Sequence, residues 1–313
     1  MIVLIVTKTT NYELHGAVVE AKVASGRVSQ DALTRLKTAH AEHYETMARL
    51  RGALQKAGIS AREVSRDEEL HRGVVYDCVI TVGGDGTLLA ASHDMDKGGT
   101  IFGVRSSLSS VGYLCCAGPG DIDLLVKALV NGDYEVTVVE RLVAEILRAD
   151  TGEVFTTKPI LNDFLYTNAN PAATTRYRLT YKDTSEVQRS SGLWIATGTG
   201  STAAIYAAGG DRRRITDHDY QFKVRELYRL GAQPPFSPSL DRGFFDPDRD
   251  QFEIENRCQS ATLAMDGQHG GVELAYGDTV RFKRAVPIGL VTKVGSVRTP
   301  ARSGEPGAQK DSP

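Results

Sequence analysis

The run Thr81-Val82-Gly83-Gly84-Asp85-Gly86-Thr87-Leu88-Leu89 constrains this chain more than any other. It follows Tyr76-Asp77-Cys78-Val79-Ile80, a short apolar stretch that predicts a buried strand. Helix-compatible residues, Thr87 to Ala91, come next. A strand, a glycine turn and a helix start together present backbone N–H groups and the positive end of a helix dipole to an anion. Asp85 is out of place beside phosphate. Its carboxylate is repelled there unless a Mg²⁺ intervenes or the acid takes up a substrate proton, and both uses belong to phosphoryl transfer. The same residues also suit an ordinary turn, because glycine tolerates positive φ and Asp favours turns. The run matches neither G-x-G-x-x-G nor the Walker loop.

A second segment, Ser190 to Ala204, again leads from an apolar run, Leu193-Trp194-Ile195-Ala196, into a turn of Gly, Thr and Ser. Thr199, Ser201 and Thr202 offer hydroxyls as donors or N-caps, and Gly209-Gly210 stops the short helix that follows. Small residues here let a flat ligand approach the backbone; a capped core helix accounts for them equally well.

Taken together, these segments carry a resemblance. Gly83-Gly84-Asp85-Gly86-Thr87, Leu161-Asn162-Asp163, Thr197 to Ala203 and Met265-Asp266-Gly267-Gln268 resemble, in order and spacing, the motifs of the NAD kinases. The likeness spans residues 1–290 or so. Diacylglycerol and sphingosine kinases share the first of these loops and are not expected to share the third. Departures are visible: Asn162-Asp163 for Asn-Glu, Ser191-Gly192 for Asp-Gly, Thr197-Gly198-Thr199 for Thr-Pro-Thr, and Ala204 for a base-stacking tyrosine. Residues 103–114 replace a glycine-rich segment. These changes resemble the divergent branch that includes the mitochondrial enzymes of animals.

The resemblance implies an ATP-dependent NAD kinase, a phosphotransferase that moves the γ-phosphoryl of ATP to the adenosine-ribose 2′-hydroxyl of NAD and makes NADP. Asp85 would be catalytic. Gly83, Gly84, Gly86 and Thr87 would bind the ATP phosphates, with Mg²⁺ or another divalent cation completing the site and no metal-ligand set of the protein's own. Asn162, Asp163, Thr199, Gly200, Ser201, Thr202 and Ala203 would bind NAD, with Tyr113 or Tyr166 replacing the stacking ring absent at Ala204. An Asx-turn at a strand end is the plain alternative for Asn162-Asp163. Asp266 and Gly267 would form a turn near the ligand. A homodimer or homotetramer is the implied assembly. Two other functions stay open: a lipid or other alcohol kinase using the same loop, and a non-catalytic NAD-binding regulator.

The fold expectation is an α/β N-terminal domain with a parallel, Rossmann-like sheet, plus an all-β sandwich second domain. Strands are expected at 2–6, 59–64, 76–82 and 100–104, and helices at 31–57 and 119–131. From Tyr134 onward short alternating runs separated by turn residues predict strands. The boundaries are 1–135 for the α/β domain, 136–287 for the sandwich, 288–297 for a return segment and 298–313 for a disordered tail rich in Pro, Gly, Ser and charge. Residues 211–231 read as a basic insertion with a short helix near Val224 to Leu230. It is either a solvated loop or an arginine contact to nucleotide phosphates. His40 and His43 have metal-pair spacing, but a polar place in the helix 31–57 packing stripe explains them better. A net charge of −2 gives no reason to expect nucleic-acid or anionic-membrane partners. No apolar run approaches a membrane span. Cys78, Cys115, Cys116 and Cys258 lack metal spacing and read as reduced thiols of a cytoplasmic protein.

Overall fold

The structure is a computed structural model that describes residues 1–67, 76–95, 98–229, 238–267 and 270–295. The chain forms β1 (Ile2–Thr7), α1 (Asn11–Ala24), α2 (Gln30–Lys56), β2 (Ser60–Ser65), β3 (Cys78–Gly83), α3 (Asp85–Ser92), β4 (Thr100–Arg105) and α4 (Ile122–Asn131). There follow β5 (Tyr134–Leu147), β6 (Val154–Thr156), β7 (Asp163–Asn168), β8 (Thr175–Tyr181), β9 (Thr184–Ser190), β10 (Gly192–Ala196), α5 (Ala204–Ala207) and β11 (Tyr220–Arg225). β12 (Arg242–Phe245), β13 (Phe252–Asn256), β14 (Ser260–Met265), β15 (Gly271–Ala275) and β16 (Thr279–Val294) complete it. Two compact units result: residues 1–88, 100–136 and 290 onward, and residues 89–99 with 137–289. The expected tail, 298–313, and Gln268 lie outside the described residues.

The first unit is α/β. β2, β1, β3 and β4 lie side by side, all parallel, with Thr7 in register with both Ser65 and Val82. β3 is buried along its whole length, as a central parallel strand requires. Ile5, Ile80, Val82 and Phe102 pack with Met47, Leu50 and Leu54 of α2 and Leu125 and Leu129 of α4. α1, which the apolar pattern does not reveal, starts with a capping box in which Thr10 and Glu13 satisfy each other's backbone N–H groups.

The second unit is all antiparallel among its paired strands. One sheet runs β12-β11-β10-β7-β14-β15; the strands β5, β6, β8, β9, β13 and β16 belong to the other. Alternate residues of both sheets meet in one core. Phe164, Tyr166, Ile195, Phe222 and Leu263 come from the first, and Leu142, Tyr177, Ile254 and Phe282 from the second.

One expectation needs correction. Residues 220–225 are not a helical part of an insertion but a strand paired on both sides, because Tyr220, Phe222 and Val224 alternate inward with period two. Its basic neighbours are also occupied: Arg213 pairs with Asp217 and Asp219, Arg214 with Asp217, and Arg229 and Lys223 with Asp241. Leu230 lies outside the described residues. Within 288–297, the residues up to Val294 are the end of strand β16, and those from Leu290 onward fall in the first unit.

Among the described residues no helix is long and apolar enough to cross a membrane. All four cysteines are unbridged and buried, and burial pushes the Cys78 and Cys116 thiols up to about 12 and Cys115 higher still.

Candidate functional site

The first unit gathers Arg66, Lys8, Gly84 with Asp85, and Ser106 immediately beyond the carboxyl ends of β2, β1, β3 and β4. That edge of a parallel sheet is where open α/β folds bind ligands. Here it borders a cavity of about 710 Å³ with walls from α1 and α2. Gly83 must be glycine, since a Cβ there would lie 2.1 Å from Thr87 Oγ1. Gly84 likewise lets the loop carrying Val111 close to a distance no Cβ would permit.

Asp85 is the first residue of α3, and its carboxylate is already fixed. Oδ2 accepts the Tyr113 N–H at 2.9 Å and Oδ1 the Leu114 N–H at 2.7 Å. Burial raises its pKa above the ordinary carboxylate value, and these two bonds oppose the rise. A carboxyl held in place yet reluctant to ionise suits proton uptake. The Thr87 N–H is not available to cradle phosphate, because it donates to Gly84 O at 3.0 Å. The Thr87 hydroxyl is a better candidate: Thr87 Oγ1 and Ser106 Oγ are buried, line the cavity and have no hydrogen-bond partner among the described residues.

In the second unit, Asn162, Asp163, Thr199 and Gly200 come together, because a Cβ on Gly200 would lie 2.0 Å from the Asn162 carbonyl oxygen. The organiser is Asp266. It sits in a left-handed turn with Gly267 at the β14–β15 hairpin, and its buried carboxylate accepts N–H groups from Leu161, Asn162 and Asp163 at 2.8–3.0 Å. His93 Nε2 lies 2.8 Å from Oδ2. Asp266 therefore shapes the Asn162-Asp163 loop from within, a role the Asp-Gly turn signal hinted at and nothing in the sequence assigned to His93.

Burial and repulsion by Asp266 raise the Asp163 carboxyl to about 7. Among the described residues, Asn162 Oδ1 and Thr199 Oγ1 are buried without hydrogen-bond partners. Ser201 is different: its Oγ donates to Gly198 O and accepts the Arg213 N–H, so it serves the turn. Thr202 and Ala203 are half-buried, at the start of α5, and Ala204 is exposed. Tyr166 cannot replace the stacking ring, since it is fully buried and hydrogen-bonded to Asn256. Tyr113 belongs to the first unit, half-buried.

His40 and His43 are packing residues. His40 Nδ1 meets Thr10 Oγ1 and His43 Nε2 meets Thr7 Oγ1; burial lowers the His43 pKa to about 4, so that ring is neutral. Among the described residues no group of three or more His, Cys, Asp or Glu side chains could hold a metal ion.

No protein-family model matches the chain. Known proteins do. A probable NADH kinase of Oryza sativa subsp. japonica is 29% identical over 269 residues, 79% of this chain and 80% of that protein. An NADH kinase of Arabidopsis thaliana is 30% identical over 257 residues, 75% of this chain and 78% of its own length. Among solved structures, an NAD kinase from Archaeoglobus fulgidus in complex with ATP matches with TM-score 0.61 over 93% of either chain, at 19% identity. Yeast NADH kinase complexed with NADH matches with TM-score 0.64 over 95% of this chain and 84% of the other, at 15% identity. These two likenesses establish the fold.

Proposed function

This chain belongs to the NAD kinase family, and on that premise we propose that it phosphorylates NAD with ATP, making NADP. The bond from the γ-phosphorus of ATP to the bridging oxygen breaks, and a bond from the ribose 2′-oxygen to that phosphorus forms. ADP leaves, and Asp85 takes the 2′-hydroxyl proton. The observation that carries this reading is the pairing of a fixed carboxyl, Asp85, with the unpartnered Thr87 and Ser106 hydroxyls on one cavity. Gly83, Gly84 and Gly86 let the donor phosphates approach. Mg²⁺ bound to the ATP would neutralise phosphate charge there.

Asn162, Asp163, Thr199 and Gly200 bind NAD, with Thr202 and Ala203 beside them and Ser201 holding the turn. The unpartnered Asn162 and Thr199 oxygens favour a polar nucleotide over the apolar acceptor of a lipid kinase. Four buried, unbridged thiols support a cytoplasmic location, and the motif resemblance supports a homodimer or homotetramer. Incubation with ATP-Mg²⁺ and, separately, NAD, NADH or diacylglycerol tests the reading. NADP or NADPH is the expected product. Phosphatidic acid would transfer the assignment to the lipid kinases, and NAD binding without turnover would make the chain a regulator.

Asp163 adds a pH signature. Its folded pKa of about 7 lies above the ordinary 3.8. The folded state thus holds a proton the unfolded chain releases, so the stability this group contributes is full below about pH 4 and lost as pH rises through 7. Asp163→Asn removes that loss. The melting temperature of the variant minus that of the unaltered chain is expected to grow from pH 5 to pH 8. A difference that stays constant with pH would show that Asp163 ionises normally.

A further inference from the structure

We infer that Lys8 and Arg66 form a cationic clamp for the phosphate chain of the donor. The inference rests on the phosphoryl-transfer reading above. Both residues follow adjacent parallel strands, one step past the registered pair Thr7 and Ser65, and the Arg66 N–H donates to Thr7 O at 2.7 Å. The clamp therefore sits on the same sheet edge as the glycine loop, and both side chains line the cavity that Asp85, Thr87 and Ser106 also line.

Their present environment is unfavourable for two cations. Both are half-buried, and burial together with the Arg66 charge pulls the Lys8 pKa below its usual value. Among the described residues no carboxylate pairs with Lys8. Arg66 Nε forms an ion pair with Asp67 at 3.4 Å, and among the described residues that buried nitrogen has no hydrogen-bond partner. Glu13 of α1 is engaged by Tyr44 and Thr10, and Asp85 by the Tyr113 and Leu114 N–H groups. Ser106 and Thr87 add two buried hydroxyls, also without partners. Two like charges and two unsatisfied hydroxyls around one cavity call for a ligand with several anionic oxygens. A planar guanidinium and a mobile ammonium suit successive phosphates of such a chain. The chemistry is shared by a nucleoside triphosphate and by inorganic polyphosphate.

The test uses the full chain with Lys8→Met, Arg66→Met, the double variant and Lys8→Arg. Two quantities are read: KM for ATP-Mg²⁺ against KM for NAD, and the affinity for inorganic tripolyphosphate by calorimetry. Each single Met variant is expected to raise the ATP KM and weaken tripolyphosphate about 10-fold or more. The NAD KM should stay within about twofold, because the clamp touches only the donor, and Lys8→Arg should restore most of the loss. If ATP and tripolyphosphate both weaken, the clamp grips phosphate whatever the source. If only inorganic polyphosphate drives turnover, the donor is that polymer and the clamp stands.

Unchanged ATP KM and unchanged tripolyphosphate affinity in a folded double variant would overturn the clamp. Should the Met variants not fold, the unaltered chain decides. Its tripolyphosphate affinity must fall with rising salt and must compete with ATP, and failure of either result overturns the clamp. An unaltered chain that binds tripolyphosphate through these residues but phosphorylates no NAD would instead overturn the function proposed above and leave the clamp intact.

Discussion

Asp85→Asn is expected to lower kcat by about 10²–10⁴-fold, the span of general-base assistance, with the KM values for ATP and NAD changed only a few-fold. The substitution keeps the shape of the side chain and removes its capacity to take a proton. It also has a local cost. Asp85 accepts two backbone N–H groups through its two oxygens, and Asn offers one oxygen and one amide nitrogen. Either the Tyr113 or the Leu114 N–H then faces a donor, which costs about 1–3 kcal/mol of stability. Chemical denaturation measures that cost separately from turnover. Near-normal kcat in a variant that shows the stability loss would reduce Asp85 to a fastener of the 113–114 segment.

The second large effect is expected at Asp266→Ala. Three backbone N–H groups and His93 converge on this one buried carboxylate. Leaving a buried donor without its acceptor costs about 1–3 kcal/mol, and several such donors lose theirs here, a large share of a typical folding free energy of about 5–15 kcal/mol. The Leu161 to Asp163 loop loses the anchor that points Asn162 toward Thr199 and Gly200, so NAD affinity should fall with stability. A second readout separates shape from charge. Because Asp266 repels the Asp163 carboxylate, its loss should move the Asp163 titration downward, read by NMR of the carboxyl carbon. A variant within about 1 kcal/mol of the unaltered chain, with NAD binding intact, would show that the loop holds its shape without Asp266.

Much of the fold was legible because patterns of burial repeat. The α2 stripe of Leu33, Met47, Leu50 and Leu54, the continuous apolar run of β3 and the alternation of the second unit all follow from which faces are covered. α1 was not legible, since Leu14 and Val18 are exposed and its start depends on the Thr10–Glu13 exchange rather than on an apolar face. β11 was misread because valine, leucine and tyrosine at 224, 227 and 228 fit a helical spacing, whereas burial selects Tyr220, Phe222 and Val224. For the site, glycine spacing located both loops. It could not show that Thr87 spends its N–H on Gly84, that Ser201 serves its own turn, or that Asp266 reaches back to residue 161. Those depend on contacts across 3 to 105 positions of sequence.

The adjacent thiols of Cys115 and Cys116 follow directly on the Tyr113 and Leu114 amides that hold Asp85, and both are buried and strongly disfavoured as thiolates. Only the thiolate attacks an alkylating reagent, so in the closed state neither sulfur reacts at neutral pH. Any labelling at this pair has to pass through an opening of the segment that grips the Asp85 carboxyl. The chain thereby carries a native chemical clock beside Asp85. Its rate reports how often the grip lets go, and a ligand that tightens the loop will slow it without any probe having been introduced.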